Sequence, residues 1–230
     1  MSIAANVAAA RERIAAACAR VGRDPAEVRI TAASKTQPAD AIAAAIAAGV
    51  DAIGENRVQE AAAKRPLVGV RAPWHLIGPL QRNKAKIAVE LFDVVETLDR
   101  PELADRLESL LAPLGRVLPV LIEVNIGAEP QKSGVLPAHV AALADHLASR
   151  CPHLALAGLM TVPPWHPDPQ RSRPYFAALR GLSALLAAPM GGQRLQLSMG
   201  MSEDFEVAAE EGATTVRLGR VLFGERVTTT

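Results

Sequence analysis

Aromatic side chains are scarce: two Trp, one Tyr and four Phe make up 3% of the 230 residues. So thin a supply weighs against a base-stacking platform for single-stranded nucleic acid. An excess of charge of one sign is missing as well, since 25 Lys and Arg stand against 24 Asp and Glu, for a formal net charge of +1. That balance argues against nucleic acid or a membrane surface as the main partner. There are only two cysteines, Cys18 and Cys151, far apart and without metal-ligand spacing. They read as reduced, buried thiols, which suits a cytosolic protein. No run is long and apolar enough to span a bilayer. The alanine-rich segment Met1 to Arg20 is broken by Arg11, Glu12 and Arg13 and has no signal-peptide core. The expectation is a soluble, cytoplasmic protein with no nucleic-acid or membrane partner.

What is present is apolar: half of the chain is hydrophobic, enough for a substantial core. Taken in order, residues 3–20 read as a helix, stopped by Val21-Gly22. Strands are predicted at Val28–Ser34, Ala52–Gly54, Trp74–Gly78, Val94–Leu98, Val120–Ile126, Leu154–Val162, Leu195–Met199 and Thr215–Gly219. Helices are predicted between them: Pro38–Ala48, Val58–Lys64 with Pro66 just beyond, Gln81–Glu90, one opening at Pro101, Pro137–Ser149, Ser172–Ala187, and Ser202–Glu210 with Ser202 as N-cap. The loop holding Pro163, Pro164, Pro167 and Pro169 is stiff and non-helical. No stretch composed like a linker divides the chain. The pattern implies one domain over residues 1–230: a single parallel (β/α)8 TIM-type barrel with an extra N-terminal helix, expected to cover one end. An open doubly wound sheet would want a glycine-rich turn after the first strand, and Ser34-Lys35-Thr36 is not that turn.

Barrels of this kind place their chemistry at the C-terminal ends of the strands. That rule collects Lys35 after the first strand, Glu55-Asn56 after the second, His75 in the third and Asn125 after the fifth. It also collects Met160-Thr161, then Ser198-Met199-Gly200, then Arg217 with Gly219 and Arg220. A lysine so placed can form a Schiff base with a carbonyl compound. The loops after the last two strands of a barrel frequently hold a phosphate, through backbone N–H groups. Ser198 adds a hydroxyl there, and Gly200 and Gly219 let the backbone approach. Taken singly these are ordinary loop glycines and a capping serine; their common location favours a phosphate. A lysine facing a phosphate site points to pyridoxal 5′-phosphate, which also needs a partner for its pyridine nitrogen. Arg217 is well placed for that. A guanidinium donates a hydrogen bond without giving up its proton, which leaves the ring a weak electron sink. The competing role for Arg217 is an ion pair with Glu55 or Glu225, but a charge inside an apolar strand favours a site. His75 borders the ring or fills the barrel wall, and Asn56 orders the mouth. The basic run Arg82, Lys84, Lys86 reads as a solvated helix face. His139, His146, His153 and His166 show no metal spacing, so no metal site is expected.

The motifs carry a resemblance. Ala33-Ser34-Lys35-Thr36, Gly54-Glu55-Asn56-Arg57-Val58-Gln59-Glu60 and Trp74-His75-Leu76-Ile77-Gly78-Pro79-Leu80-Gln81-Arg82-Asn83-Lys84 are similar to the pyridoxal phosphate homeostasis protein family. So are Glu123-Val124-Asn125-Ile126, Lys132-Ser133-Gly134, Gly158-Leu159-Met160-Thr161, Leu197-Ser198-Met199-Gly200-Met201-Ser202 and Val216-Arg217-Leu218-Gly219. The resemblance implies a single alanine-racemase-like barrel that holds the cofactor as an internal aldimine on Lys35. It implies phosphate contacts from Ser198 and the Gly219-Arg220 region, and Arg217 at the pyridine nitrogen. Around the cofactor, Asn56, His75, Met160, Met199 and Gly200 complete the expected site. Members bind the cofactor and influence its cellular balance, with no secure catalytic reaction attached to them. The expected partners are pyridoxal phosphate and apo-enzymes that receive it, and the chain is expected to be a monomer.

Two other functions compete. An amino-acid racemase on the same barrel needs a second base, and the one tyrosine, Tyr175, falls on a predicted helix. A Schiff-base aldolase would use Lys35 directly on a sugar phosphate and would not need Arg217 in the mouth.

Overall fold

Eight short strands run parallel in chain order, and the last pairs with the first to close a barrel. They are β1 (Arg29–Ala33), β2 (Ala52–Glu55), β3 (Trp74–Leu76), β4 (Val94–Leu98), β5 (Leu118–Glu123), β6 (Leu154–Met160), β7 (Gln196–Ser198) and β8 (Thr215–Leu218). Between them lie α2 (Ala39–Ala47), α3 (Val58–Val68), α4 (Ala85–Leu91), α5 (Pro101–Leu111), α6 (Val140–Arg150), α7 (Arg173–Ala187) and α8 (Phe205–Glu210). The computed structural model describes residues 2–69, 71–187, 192 and 194–224. Among them no helix is long and apolar enough to cross a membrane.

The leading helix, α1 (Ile3–Arg20), does not cover an end of the barrel. It packs against α2, α8 and the short α9 (Arg220–Phe223) that follows β8. It therefore completes the outer ring at the β8–β1 seam, where α9 is too short to do so. Its buried residues Val7, Ala10, Ile14, Ala17 and Cys18 recur every three or four positions, as one apolar stripe requires. Polar ties fix it there: Asn6 donates to the Leu222 carbonyl at 2.9 Å, and Arg11 reaches Val28 O, Gly49 O and Asp51.

Several boundaries differ from the sequence reading. Helix α3 runs through Pro66 to Val68 before Gly69 ends it at φ 67°. A proline so near a helix end forfeits little of the hydrogen-bond ladder. Strand β5 stops at Glu123, because Asn125 turns the chain: its side chain bonds both Glu129 O and Glu129 N–H. Helices expected from Gln81, Pro137 and Ser172 open with a 3-10 turn instead, at Arg82–Lys84, Pro137–His139 and Pro169–Ser172. The helix expected at Ser202 starts at Phe205 with Asp204 before it, and the Asp204 carboxylate accepts from Met201 N–H at 2.8 Å.

Successive strand residues face opposite sides. Ile30, Ile53, Leu76, Val95, Leu197 and Val216 join the helices in one apolar cluster. Their neighbours on alternate positions, His75, Glu96, Ser198 and Arg217, are linked to one another although β4 and β7 are not adjacent in the sheet. Only the barrel interior can join them. The barrel thus has an apolar outer face and a polar stratum inside.

Candidate functional site

Strand β1 delivers the chain to Ser34, and a tight turn over Lys35 and Thr36 leads toward α2. Lys35 is exposed and lines a cavity of about 490 Å³ with Gln37, Trp165, Met201, Ser202, Glu203, Arg217, Gly219 and Arg220. Four of the residues singled out in the sequence, Lys35, Arg217, Gly219 and Arg220, therefore share one mouth. It lies at the C-terminal ends of β1 and β8, the face on which barrels do chemistry. A larger cleft of about 800 Å³ lies beside Arg65, Trp74 and Asp93, where β3 and β4 begin. It is on the opposite face, where barrels keep no active site.

Beneath the mouth runs a chain of buried polar groups. Arg217 is 4% exposed; it donates to Ser198 Oγ at 2.7 Å and to the Thr161 carbonyl at 2.8 Å. Ser198 Oγ in turn meets Glu96 Oε2 at 2.5 Å, and His75 Nδ1 meets Glu96 Oε1 at 2.6 Å. Burial would raise the Glu96 carboxyl, but the His75 hydrogen bond, the charges of His75 and Arg217, and the Ser198 hydroxyl hold it below the usual carboxylate range. Burial pulls Arg217 down while Glu96, Glu123 and Asp204 work against that. Nearby Glu123 is pushed up to about 7 by burial and by the Asp99 charge, with Arg217 opposing.

The other expected residues lie around this frame. Met160 is buried, level with Glu123 on one side and Ser198 on the other. Met199 and Gly200 are buried behind the mouth and do not line the cavity. Gly200 holds φ 92°, and its carbonyl accepts from Arg217 N–H at 2.9 Å. A Cβ there would come within 2.5 Å of Ala208 Cβ. Asn56 is half-buried, with its backbone against Gly78. The Ser198 hydroxyl is engaged inside the barrel, and the hydroxyl residue on the cavity wall is Ser202. Glu55 is paired with Lys64 and not with Arg217, and Glu225 lies outside the described residues.

Sequence reasoning passed over Glu96, Trp165 and Lys64, and read Ser202 as a helix N-cap. Glu96 carried a usable signal, a charge inside the apolar strand Val94–Leu98. Trp165, 74% exposed at the cavity rim, stands in the proline-rich loop after β6. A second side-chain group lies far from the mouth: Asp105, His146 and Cys151 bring donor atoms within 4.8 Å of one another. No spacing along the chain announced it. His146 Nε2 already meets Asp105 Oδ1 at 2.7 Å. Burial, with the Asp105 and Glu108 charges, pushes the Cys151 thiol up to about 11. The group reads as a hydrogen-bonded His146–Asp105 pair over a protonated thiol.

The family described as "Alanine racemase, N-terminal domain" matches residues 4–227. Among curated proteins, the chain is 43% identical over 216 residues to the pyridoxal phosphate homeostasis protein of Aquifex aeolicus, covering 94% of each. It is 43% identical over 227 residues to the protein of the same name from Pseudomonas aeruginosa, covering 98% of this chain and 96% of that one. Among solved structures, it is similar to PipY of Synechococcus elongatus PCC7942 with PLP bound. That likeness has TM-score 0.80 and 39% identity and covers 93% of this chain and 99% of that one.

Proposed function

Because this chain belongs to the pyridoxal phosphate homeostasis protein family, on the alanine racemase N-terminal barrel, we propose that it binds pyridoxal 5′-phosphate in the Lys35 mouth and takes part in keeping the cell's supply of that cofactor. The observation that carries this is the meeting of Lys35, Arg217, Ser202 and Gly219 around one cavity of about 490 Å³. When bound, pyridoxal phosphate would supply an aldehyde, an electrophile suited to a lysine amine. Lys35 is the residue for that attachment. The half-buried Ser202 and Gly219 and the exposed Arg220 suit the anionic end, since a hydroxyl, a backbone N–H and a guanidinium are donors, and an anion there competes with Glu203, which already pairs with Arg220 on the same wall. Arg217, held from behind by Ser198 and the Thr161 carbonyl, presents a cation that keeps its proton, which suits the pyridine nitrogen. His75 acts through Glu96, and Met160, Met199, Gly200 and Asn56 shape the walls behind these groups. The family role favours a carrier that acts inside the cell as a monomer and passes the cofactor to apo-enzymes, over a catalyst.

The test is the absorption spectrum of the freshly purified protein, followed by borohydride reduction and peptide mapping. The expected result is a visible band that reduction bleaches, with one pyridoxyl label on Lys35 and none in Lys35→Ala. A label on Lys84, Lys86 or Lys132 would sink the assignment.

A further inference from the structure

The turn that carries Lys35 is held from beneath by the next β/α unit. On α3, the Lys64 side chain is only 15% exposed. Its ammonium donates to the Ser34 carbonyl at 3.0 Å, to Glu55 Oε1 at 2.8 Å and to Glu60 Oε2 at 3.3 Å. The Ser34 hydroxyl donates to the same Glu55 oxygen at 2.7 Å. On the far side of Lys35, the Thr36 N–H donates to Glu60 Oε2 at 3.3 Å. Both residues that flank Lys35 are therefore tied to one cluster of three charged side chains.

Two features of this cluster work against stability. Thr36 holds φ 65°, a left-handed conformation that a β-branched residue rarely adopts. Glu55 is fully buried, and its Oε2 has no hydrogen-bond partner among the described residues. A buried ion pair is poor as a stabilising device. A strained backbone persists where its surroundings over-determine it, and such places cluster at functional sites. What the two features achieve together is a rigid Ser34–Thr36 backbone, and with it a fixed root for the Lys35 side chain.

We propose that Lys64, braced by Glu55 and Glu60, is a positioning residue for Lys35: it sets where the lysine enters the cavity and does not itself touch the bound molecule. The inference rests on the reading of Lys35 as the attachment point. Geometry of this kind acts on the covalent step alone, since a lysine rooted in a loose turn must be ordered afresh each time it reacts. The non-covalent contacts of the mouth come from Ser202, Gly219 and Arg220, on other elements, and stay in place.

Two variants test it. Lys64→Met/Glu55→Gln removes both charges together, so that no buried charge is stranded. Glu60→Ala releases the Thr36 N–H and leaves the buried pair intact. Each is titrated with pyridoxal 5′-phosphate, with phosphate-free pyridoxal, and with pyridoxine 5′-phosphate, which has an alcohol in place of the aldehyde. The expected result is a loss of about tenfold or more for both aldehydes alike, from misplacement of a reacting group. Pyridoxine 5′-phosphate affinity should stay within about twofold, and melting within about 4 °C of the unaltered protein. Parallel loss of all three ligands would show a merely structural role and overturn the proposal. Unchanged aldehyde binding, with the reductive label still on Lys35, would overturn the positioning role alone. A label on another lysine in the unaltered protein would overturn the attachment reading and this one with it.

Discussion

The Ser198 hydroxyl stands between Arg217 and Glu96: it accepts from the guanidinium at 2.7 Å and meets the carboxylate at 2.5 Å. A cation from β8 and an anion from β4 are thus coupled across the barrel through one oxygen. Because His75 holds the other Glu96 oxygen, four strands contribute to the orientation of a single guanidinium.

Ser198→Ala is expected to cost about 1.5–3 kcal/mol of stability, the range for a hydrogen bond to a charged group. Urea unfolding measures it. Acting through Arg217, the change should weaken pyridoxal and pyridoxal phosphate by the same factor. A loss confined to the phosphate-bearing ligand would place the hydroxyl's role at the phosphate instead.

Glu123 makes stability depend on pH near neutrality. Its folded-state pKa is raised to about 7, so folding takes up a proton at this group between the ordinary carboxylate value and 7. Stability from this group is therefore greatest at low pH and falls as pH rises through about 7, by on the order of 3 kcal/mol. Glu123→Gln should remove that fall. Unfolding curves at pH 5 and pH 8 are the check: the variant should gain on the unaltered protein at pH 8 and match it at pH 5. Glu96 has the opposite sign. Its depressed pKa gives stability that is present above the ordinary carboxylate range and lost as pH falls through the lower folded value.

Gly200→Ala should destabilise by about 1–3 kcal/mol, since a side chain at φ 92° is strained and its Cβ would sit 2.5 Å from that of Ala208. Thermal melting reads the loss directly. Because Arg217 N–H bonds the Gly200 carbonyl, the affinity for pyridoxal phosphate should drop as well. A melting temperature equal to that of the unaltered protein would contradict the strain argument.

Racemisation of amino acids should be negligible. Tyr175 lies on α7 and does not line the Lys35 cavity, and the one carboxylate on the cavity wall, Glu203, is paired with Arg220, which leaves Lys35 as the evident base among the described residues of the mouth. Alanine and serine enantiomers, each incubated with the loaded protein in deuterated water, should show no multiple-turnover inversion. Exchange of one enantiomer's α-proton, without inversion, is compatible with a single base on one face.

Much of the barrel was legible in the chain because parallel strands covered on both faces read as short apolar runs between helices. Val94–Leu98 matches β4 residue for residue. The site was legible where a single residue could be referred to a strand end, as with Lys35, Gly219 and Arg220. It was opaque where side-chain groups form from contacts between distant segments. Glu96 and Ser198 are 102 residues apart, and His146 and Asp105 are 41 apart. Glu60 and Lys64 look like an ordinary surface pair one helical turn apart, and only the fold places them under Ser34 and Thr36. The stripe on α1 showed that this helix must pack, but not against which elements.

That packing has a consequence for synthesis. Asn6 and the Leu222 carbonyl it holds are 216 residues apart. At ribosomal rates of about 5–20 residues per second, the first helix waits roughly 10–40 s for its last neighbour. Throughout that interval one flank of its apolar stripe has no native cover, so the growing chain presents a sticky helix until β8 and α9 have been made. Damage to the β8–α9 end would return a finished molecule to that state, and aggregation starting at residues 3–20 would be its signature.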